Sequence, residues 1–446
     1  MSKRKKLKKS YRKKSNKRIR RIQFTSFMAV LAIGFLVSLL IPLRPTHSES
    51  EKRDLTPFPQ FTFKTLCDGS FFDGVNLWYS DTFPFREALV SANSKIQSLR
   101  GFGDRLYGLT DHKAEEIPDV PVVLPEPTDI PDDIDETIGG TIESDDNVLV
   151  QNLGNIVIVG DAGYEVYNFN QEAANRYASV INRAANKLNG IAKVYDMLVP
   201  TSIDITLADR ERAKLNSSSQ ADAIRYIYGC LNDQVIPVNV YNALRTHRTE
   251  YIYFRTDHHW TARGAFYAYE QFCKSMSMTP KALTDFTEYQ FPGFLGSFYT
   301  DTKKNSTLQK HPDTVFAYDP KAQTTLTCHM KNGSTLDWKI ISDVSGWNKT
   351  ALYSTFIGGD NPYSYITNAS CTNGRSCLVI KESFGNALVP FIAADYSEVH
   401  VVDYRYWNGS ISQLVRNHNI DTVLYVNNVS ATRNTSLIRA LSSITN

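Results

Sequence analysis

"CLVIKESFGNALVPFIAADY", residues Cys377 to Tyr396, decides the fold. Cys377 to Ile380 is an unbroken apolar run, a polar turn follows at Lys381 to Ser383, and a second apolar stretch of helical length begins near Gly385. A strand with no polar alternation is buried on both faces, which is the condition of a parallel sheet covered by helices. Moving outward, Val- and Ile-rich runs recur at Asn155 to Gly160, Ala192 to Pro200, Tyr251 to Arg255, Glu398 to Tyr404 and Asp421 to Val426. Helical patterns separate them at Gln171 to Leu188, Ser219 to Leu231, Thr261 to Ser277, Gly385 to Ala394 and Ile411 to His418. This alternation predicts an α/β domain over 148–446 with a parallel sheet flanked by helices. It stops between Thr279 and Ser370, a polar, turn-rich stretch expected to form a β-rich or irregular insertion.

The chain has 446 residues and its charge is unevenly spread. Thirteen of its 49 Lys and Arg fall within Met1 to Ile22, which holds no acid, so 36 basic side chains face all 46 acids over the remainder. Phe24 to Leu43, "FTSFMAVLAIGFLVSLLIPL", then runs twenty residues without a charge, the length of a bilayer-spanning helix. With the basic flank held on the cytoplasmic side, residues 1–23 are expected to be a cytoplasmic tail, 24–43 a single transmembrane helix, and everything beyond to lie outside the cytoplasm. A cleaved signal peptide is the rival reading, but the apolar run is too long and no A-x-A pattern follows Leu43. The tail is read as a topology determinant rather than as a nucleic-acid contact.

Residues 44–110 are expected to be an adaptor region with a helix over Asp81 to Leu99. Asp111 to Asn147 carries thirteen acids, one lysine, five prolines and no aromatic residue, a composition expected to stay disordered and solvated. Six cysteines occur without a CxxC pair, so no zinc knuckle is indicated; Cys371 and Cys377 are the expected local bridge, and six buried thiols the alternative.

Two places carry residues of the kind that perform acyl chemistry. "YFRTDHHWTARGAFYAYEQF" (Tyr253 to Phe272) puts Asp257 two residues before His259 at a strand end, where Thr261 can cap the following helix. An imidazole acting as a base needs its second nitrogen held by an acceptor, and Asp257 is near enough in sequence to supply it. The bland reading is a loop-capping Asp beside a structural His; a zinc site built from Asp257, His258 and His259 is a third, but no HExxH or third-ligand motif accompanies them. The second place is Ser383, on a strand-to-helix turn that exposes a hydroxyl and aims helix-start amides at an oxyanion. Its bland reading is a helix N-cap.

"FRTDHHWTARGAFYAY" (Phe254 to Tyr269) resembles the signature of the DHHW family of bacterial membrane-anchored proteins. The order D-x-H-W followed far downstream by a strand-borne Ser is similar to the SGNH-hydrolase-like domain of alginate O-acetyltransferases, over roughly Asp81 to Ala440. The resemblance implies an Asp257, His259, Ser383 triad and Arg405 in the pocket; the amides near Ser383 and Gly385, with Asn386, are expected from the turn itself to bind the oxyanion. It further implies an extracytoplasmic, membrane-anchored serine esterase or O-acyltransferase acting on acyl, chiefly acetyl, esters of cell-envelope polysaccharide. A membrane acyl-donor protein is the implied partner. No cofactor, metal or nucleic acid is called for. The competing class is a non-catalytic envelope-binding or assembly protein on the same fold.

Overall fold

The protein was analysed as a computed structural model, which describes Arg44, 47–48, 53–54, 56–62, Leu66, 70–83, 117–118, 134–143 and 148–445. The chain divides into two compact units, Met1–Phe102 and Gly103–Asn446. In the first, His47–Ser48 pairs antiparallel with Arg53–Asp54, and a helix spans Ser70–Asp81. The Arg44 guanidinium lies 4.0 Å above the Trp78 ring and donates to Thr82 Oγ1 at 2.9 Å. The helix expected from Asp81 onward is corrected at its start, since Asp81 ends a helix; residues 84–99 lie outside the described residues. So do the basic tail and the apolar run Phe24 to Leu43. No helix among the described residues is long and apolar enough to cross a membrane.

The second unit is a mixed α/β domain. Its strands are β1 (Val150–Asn152), β2 (Ile156–Val159), β3 (Ala162–Glu165), β4 (Lys193–Val199), β5 (Val235–Pro237), β6 (Phe286–Phe294), β7 (Asp313–Pro320), β8 (Thr324–His329), β9 (Thr335–Trp338), β10 (Tyr363–Asn368), β11 (Ser376–Lys381), β12 (Glu398–Asp403) and β13 (Thr422–Asn428). The principal helices are α1 (Gln171–Leu188), α2 (Gln220–Gly229), α3 (Ala262–Ser275), α4 (Gly385–Ala393), α5 (Ile411–Asn417) and α6 (Thr435–Thr445). The main sheet runs β9-β8-β10-β12-β11-β13-β4-β5. Its five strands from β12 to β5 are parallel, and β11, flanked by β12 and β13, is buried at every residue, as its unbroken apolar run requires. Side-chain caps start the helices where the sequence supplies them: Asn170 accepts from Ala173 N at 2.7 Å, Ser219 from Asp222 N at 3.1 Å and Thr261 from Gly264 N at 3.4 Å.

Four sequence expectations are corrected here. The sheet is mixed rather than wholly parallel, because β8, β9 and β10 from the 279–370 insertion extend it antiparallel through the β10·β12 pairing. Asn155 to Gly160 supplies the middle strand of a separate three-stranded antiparallel sheet, and Tyr251 to Arg255 makes only an isolated bridge, Tyr253 to Trp260. Their β-branched and aromatic residues satisfy packing, and strand propensity does not say against which sheet. Within the acidic segment, 134–143 is strapped to the domain by arginines: Arg225 donates to the Ile134 carbonyl, Arg245 to those of Glu136 and Ile138, and Arg248 to that of Gly140. These partners lie roughly a hundred residues away, beyond any local composition argument. Finally, Cys371 and Cys377 are free thiols; Cys377 faces the core from β11, while Cys371 is in the preceding turn.

Candidate active site

Every parallel strand of the sheet ends on the same side, so the residues just past those ends share one rim. The Asp257 loop is folded onto that rim by its own backbone and by one buried carboxylate. Phe254 N donates to His259 O at 3.2 Å and Thr261 N to Ile252 O at 2.9 Å, closing a tight loop, while the Tyr253 hydroxyl donates to Pro200 O just beyond β4. Fully buried Asp313, on β7, accepts from Arg255 N (3.1 Å), Thr256 N (2.7 Å), Thr256 Oγ1 (2.6 Å) and the Tyr251 hydroxyl (2.6 Å). A loop held by so many bonds to one group presents Asp257 in a single geometry.

Asp257 Oδ1 accepts from His259 Nδ1 at 2.6 Å and from His259 N at 2.9 Å; Oδ2 accepts from Ser297 N at 2.7 Å. The last contact needs Gly296, where a Cβ would stand 2.2 Å from Oδ2. Burial alone would raise the Asp257 carboxyl, but the adjacent imidazoles of His259 and His258 and these hydrogen bonds hold it well below the usual carboxylate range. It is therefore an anion, and it keeps the His259 proton on Nδ1 and the lone pair on Nε2.

That lone pair meets the Ser383 hydroxyl at 2.7 Å. Ser383 stands two residues past the end of β11, and its hydroxyl reaches His259 instead of capping α4, which has no side-chain cap. Three further contacts lock the pair. The Tyr353 ring stacks on His259 at 4.1 Å and 12°, and its hydroxyl donates to Ser383 O at 3.1 Å. Trp260, fully buried, donates from Nε1 to Phe384 O at 2.9 Å, tying the histidine loop to the serine turn. Glu382 accepts from Phe384 N (3.1 Å) and Asn428 N (2.9 Å), and its Oε2 is 3.3 Å from Ser383 Oγ.

His258 stands apart from this line. Burial, with the neighbouring His259, pushes it down, and its Nδ1 lies 2.6 Å from Ser297 Oγ. The ligating atoms of Asp257, His258 and His259 lie within 4.8 Å of one another, yet each is engaged by Ser297, by Ser383 or within the set.

The remaining expected site residues have different roles. Gly385 N donates to Glu382 O at 3.0 Å, which takes that amide out of an oxyanion hole, and a Cβ on Gly385 would lie 2.5 Å from Lys381 Cβ. Glycine there lets α4 start against the strand. The Asn386 side-chain amide donates to Asp360 Oδ1 at 2.9 Å. Arg405 does not reach Ser383 directly: it pairs with Asp403 at 2.7 Å and Asp360 at 2.9 Å, in a network completed by buried Lys381. Through Asp360 it holds Asn386, three residues past the hydroxyl. Burial would raise Asp360, but Lys381 and Arg405 hold it well below the usual range. Among the described residues no acceptor takes the Ser383 amide, which leaves it the best-placed oxyanion donor of this turn. Tyr353 and Asp360 are not marked by anything in their local sequence, Ser297 in "LGSF" stands out only as a competing candidate nucleophile, and Trp260 only as part of a motif.

The fold and site define an α/β protein with carboxylate, imidazole and hydroxyl in a hydrogen-bonded line at the carboxyl rim of its sheet. The chain belongs to the DHHW family, whose model, described as DHHW protein, matches residues 51–126 and 120–402. A DHHW family protein from Eubacterium siraeum is similar at 29% identity and a TM-score of 0.61, covering 67% of this chain and 98% of that one. Bacillus cereus PatB1 is similar in fold at 20% identity, with a TM-score of 0.54 over 65% of this chain and 99% of that one. A second PatB1 structure, with a sulfonyl adduct, gives a TM-score of 0.52 at 20% identity, over 65% and 98%. No curated protein matches the chain.

Proposed function

We propose that the chain is a serine esterase or O-acyltransferase of the SGNH-like type, acting on acyl esters of cell-envelope carbohydrate. The observation that carries this reading is the continuous line from Asp257 through His259 to Ser383, at 2.6 and 2.7 Å. In the reaction, Ser383 Oγ attacks the acyl carbonyl while its proton passes to His259 Nε2, and Asp257 stabilises the imidazolium. The Ser383 amide receives the oxyanion. Collapse breaks the ester C–O bond, and His259 returns the proton to the leaving alcohol. The acyl-serine then passes its acyl group to water or to a sugar hydroxyl deprotonated by the same imidazole.

Acetyl as the acyl group and envelope polysaccharide as the acceptor follow from the family resemblance. The same resemblance, with the charge asymmetry about Phe24 to Leu43, supports a single-pass anchor that leaves the domain outside the cytoplasm, where a membrane protein would supply acyl groups. A second reading, an envelope-binding or assembly protein that keeps the line as a structural device, draws on the burial of Ser383, which is 8% exposed. Release of p-nitrophenol from p-nitrophenyl acetate decides between them. The enzyme turns over and Ser383→Ala does not; equal rates from both, at background, support the scaffold.

A further inference from the structure

The geometry points to a binding site for a divalent transition-metal cation, with zinc as the natural occupant, formed by Glu398, His400 and His418 at the end of the sheet away from Ser383. Glu398 and His400 are two residues apart on β12, so their side chains share one face. His418 ends α5 on that face, and its ring centroid is 4.5 Å from that of His400. One ligating atom from each of the three residues falls within 4.8 Å of the others.

The second, independent observation is the state of His400. The residue is wholly buried, and its Nε2 has no hydrogen-bond partner; the nearest carboxylate oxygen, on Glu398, is 3.7 Å away, inside the cluster. Its other nitrogen, Nδ1, is 2.7 Å from the Tyr363 hydroxyl. With the proton on Nδ1 and donated to Tyr363, the Nε2 lone pair is bare, buried and aimed at Glu398, the arrangement in which a hydroxyl behind a histidine fixes the ligating tautomer. Two imidazoles and a carboxylate suit zinc, and the exposure of His418 leaves room for water as a fourth ligand. Zinc bonds of about 2.0–2.1 Å set tetrahedral neighbours roughly 3.3 Å apart, so the partly exposed Glu398 and exposed His418 side chains must close in by about an ångström. Such an ion would clip β12 to the segment entering β13, and it stands outside the proposed reaction.

The test uses the full-length chain in detergent, freed of any polyhistidine tag and stripped with a chelator. Zinc is titrated against a chromophoric competitor, and Co2+ is added separately to read its visible d–d absorption. The variants are His418→Ala and Glu398→Gln, both at accessible side chains, with His258→Ala as control for the other histidine cluster. One tightly held zinc per chain is expected, with affinity reduced at least tenfold in each of the first two variants and unchanged in the control. Zinc should also raise the melting temperature of the wild type more than that of the doubly substituted chain. Undiminished affinity in the Glu398→Gln, His418→Ala double variant, loss of binding in His258→Ala instead, or no zinc retained against a micromolar competitor would overturn the proposal.

Discussion

Replacing Asp257 by Asn exchanges one oxygen for an NH2 group and changes little else, so its consequences can be worked out bond by bond. Asp257 accepts three hydrogen bonds, two from His259 and one from Ser297 N. If the carboxamide oxygen stays on Ser297, its NH2 faces His259: the bond from His259 N is lost, and the imidazole must bare Nδ1 and carry its proton on Nε2. Ser383 then faces a donor where it needs a base. If the oxygen turns to His259, the NH2 opposes the Ser297 amide and a buried, charge-assisted bond of roughly 1.5–3 kcal/mol is lost. The first outcome is the wrong-tautomer state, for which the loss in a serine-protease relay is about 10⁴-fold. At 1.36 kcal/mol per decade that is about 5.4 kcal/mol of barrier. The assay is the second-order rate of fluorophosphonate labelling, alongside circular dichroism to show that the variant is folded. A folded Asp257→Asn chain labelled within about threefold of the wild-type rate would refute the role given to this carboxylate.

Other consequences are as specific. Gly296→Ala should leave the fold intact yet cost about 10²-fold in labelling rate, because a Cβ 2.2 Å from Asp257 Oδ2 displaces the carboxylate by roughly an ångström; an unchanged rate would show that the close approach is incidental. Trp260→Phe removes the donor to the buried Phe384 carbonyl and should lower stability by about 1–3 kcal/mol in urea unfolding. Asp196, wholly buried with Oδ2 unpartnered and Oδ1 on the Tyr177 hydroxyl, is pushed up to about 7 by desolvation. Its folded value exceeds the unfolded one of about 3.9, so the protonated form favours folding and stability falls as pH rises from about 4 to about 7. Asp196→Asn should flatten that decline in urea midpoints measured at half-unit intervals, and parallel slopes in the two chains would count against it.

How much of this was legible depended on range. Asp257 and His259 are two residues apart and Ser383 sits in a strand-turn-helix pattern, so local chemistry and the family resemblance sufficed to nominate them. The groups that orient them come from elsewhere in the chain: Asp313 and Ser297 follow the loop by some forty to sixty residues, and Tyr353 and Asp360 belong to the insertion. Polar strands such as Thr324–His329 do not announce that they lengthen a sheet built by apolar ones, since a strand of an antiparallel extension needs only one buried face. Gly385 was read as an oxyanion residue because it opens a helix, whereas its lack of a Cβ is what Lys381 requires.

The central claim is tested most directly by mapping, through peptide mass spectrometry, where a fluorophosphonate attaches to the folded chain. The expected adduct is single, on Ser383, and absent from His259→Ala. An adduct on another serine, or none on a chain shown to be folded, would contradict the assignment of this hydroxyl as the nucleophile.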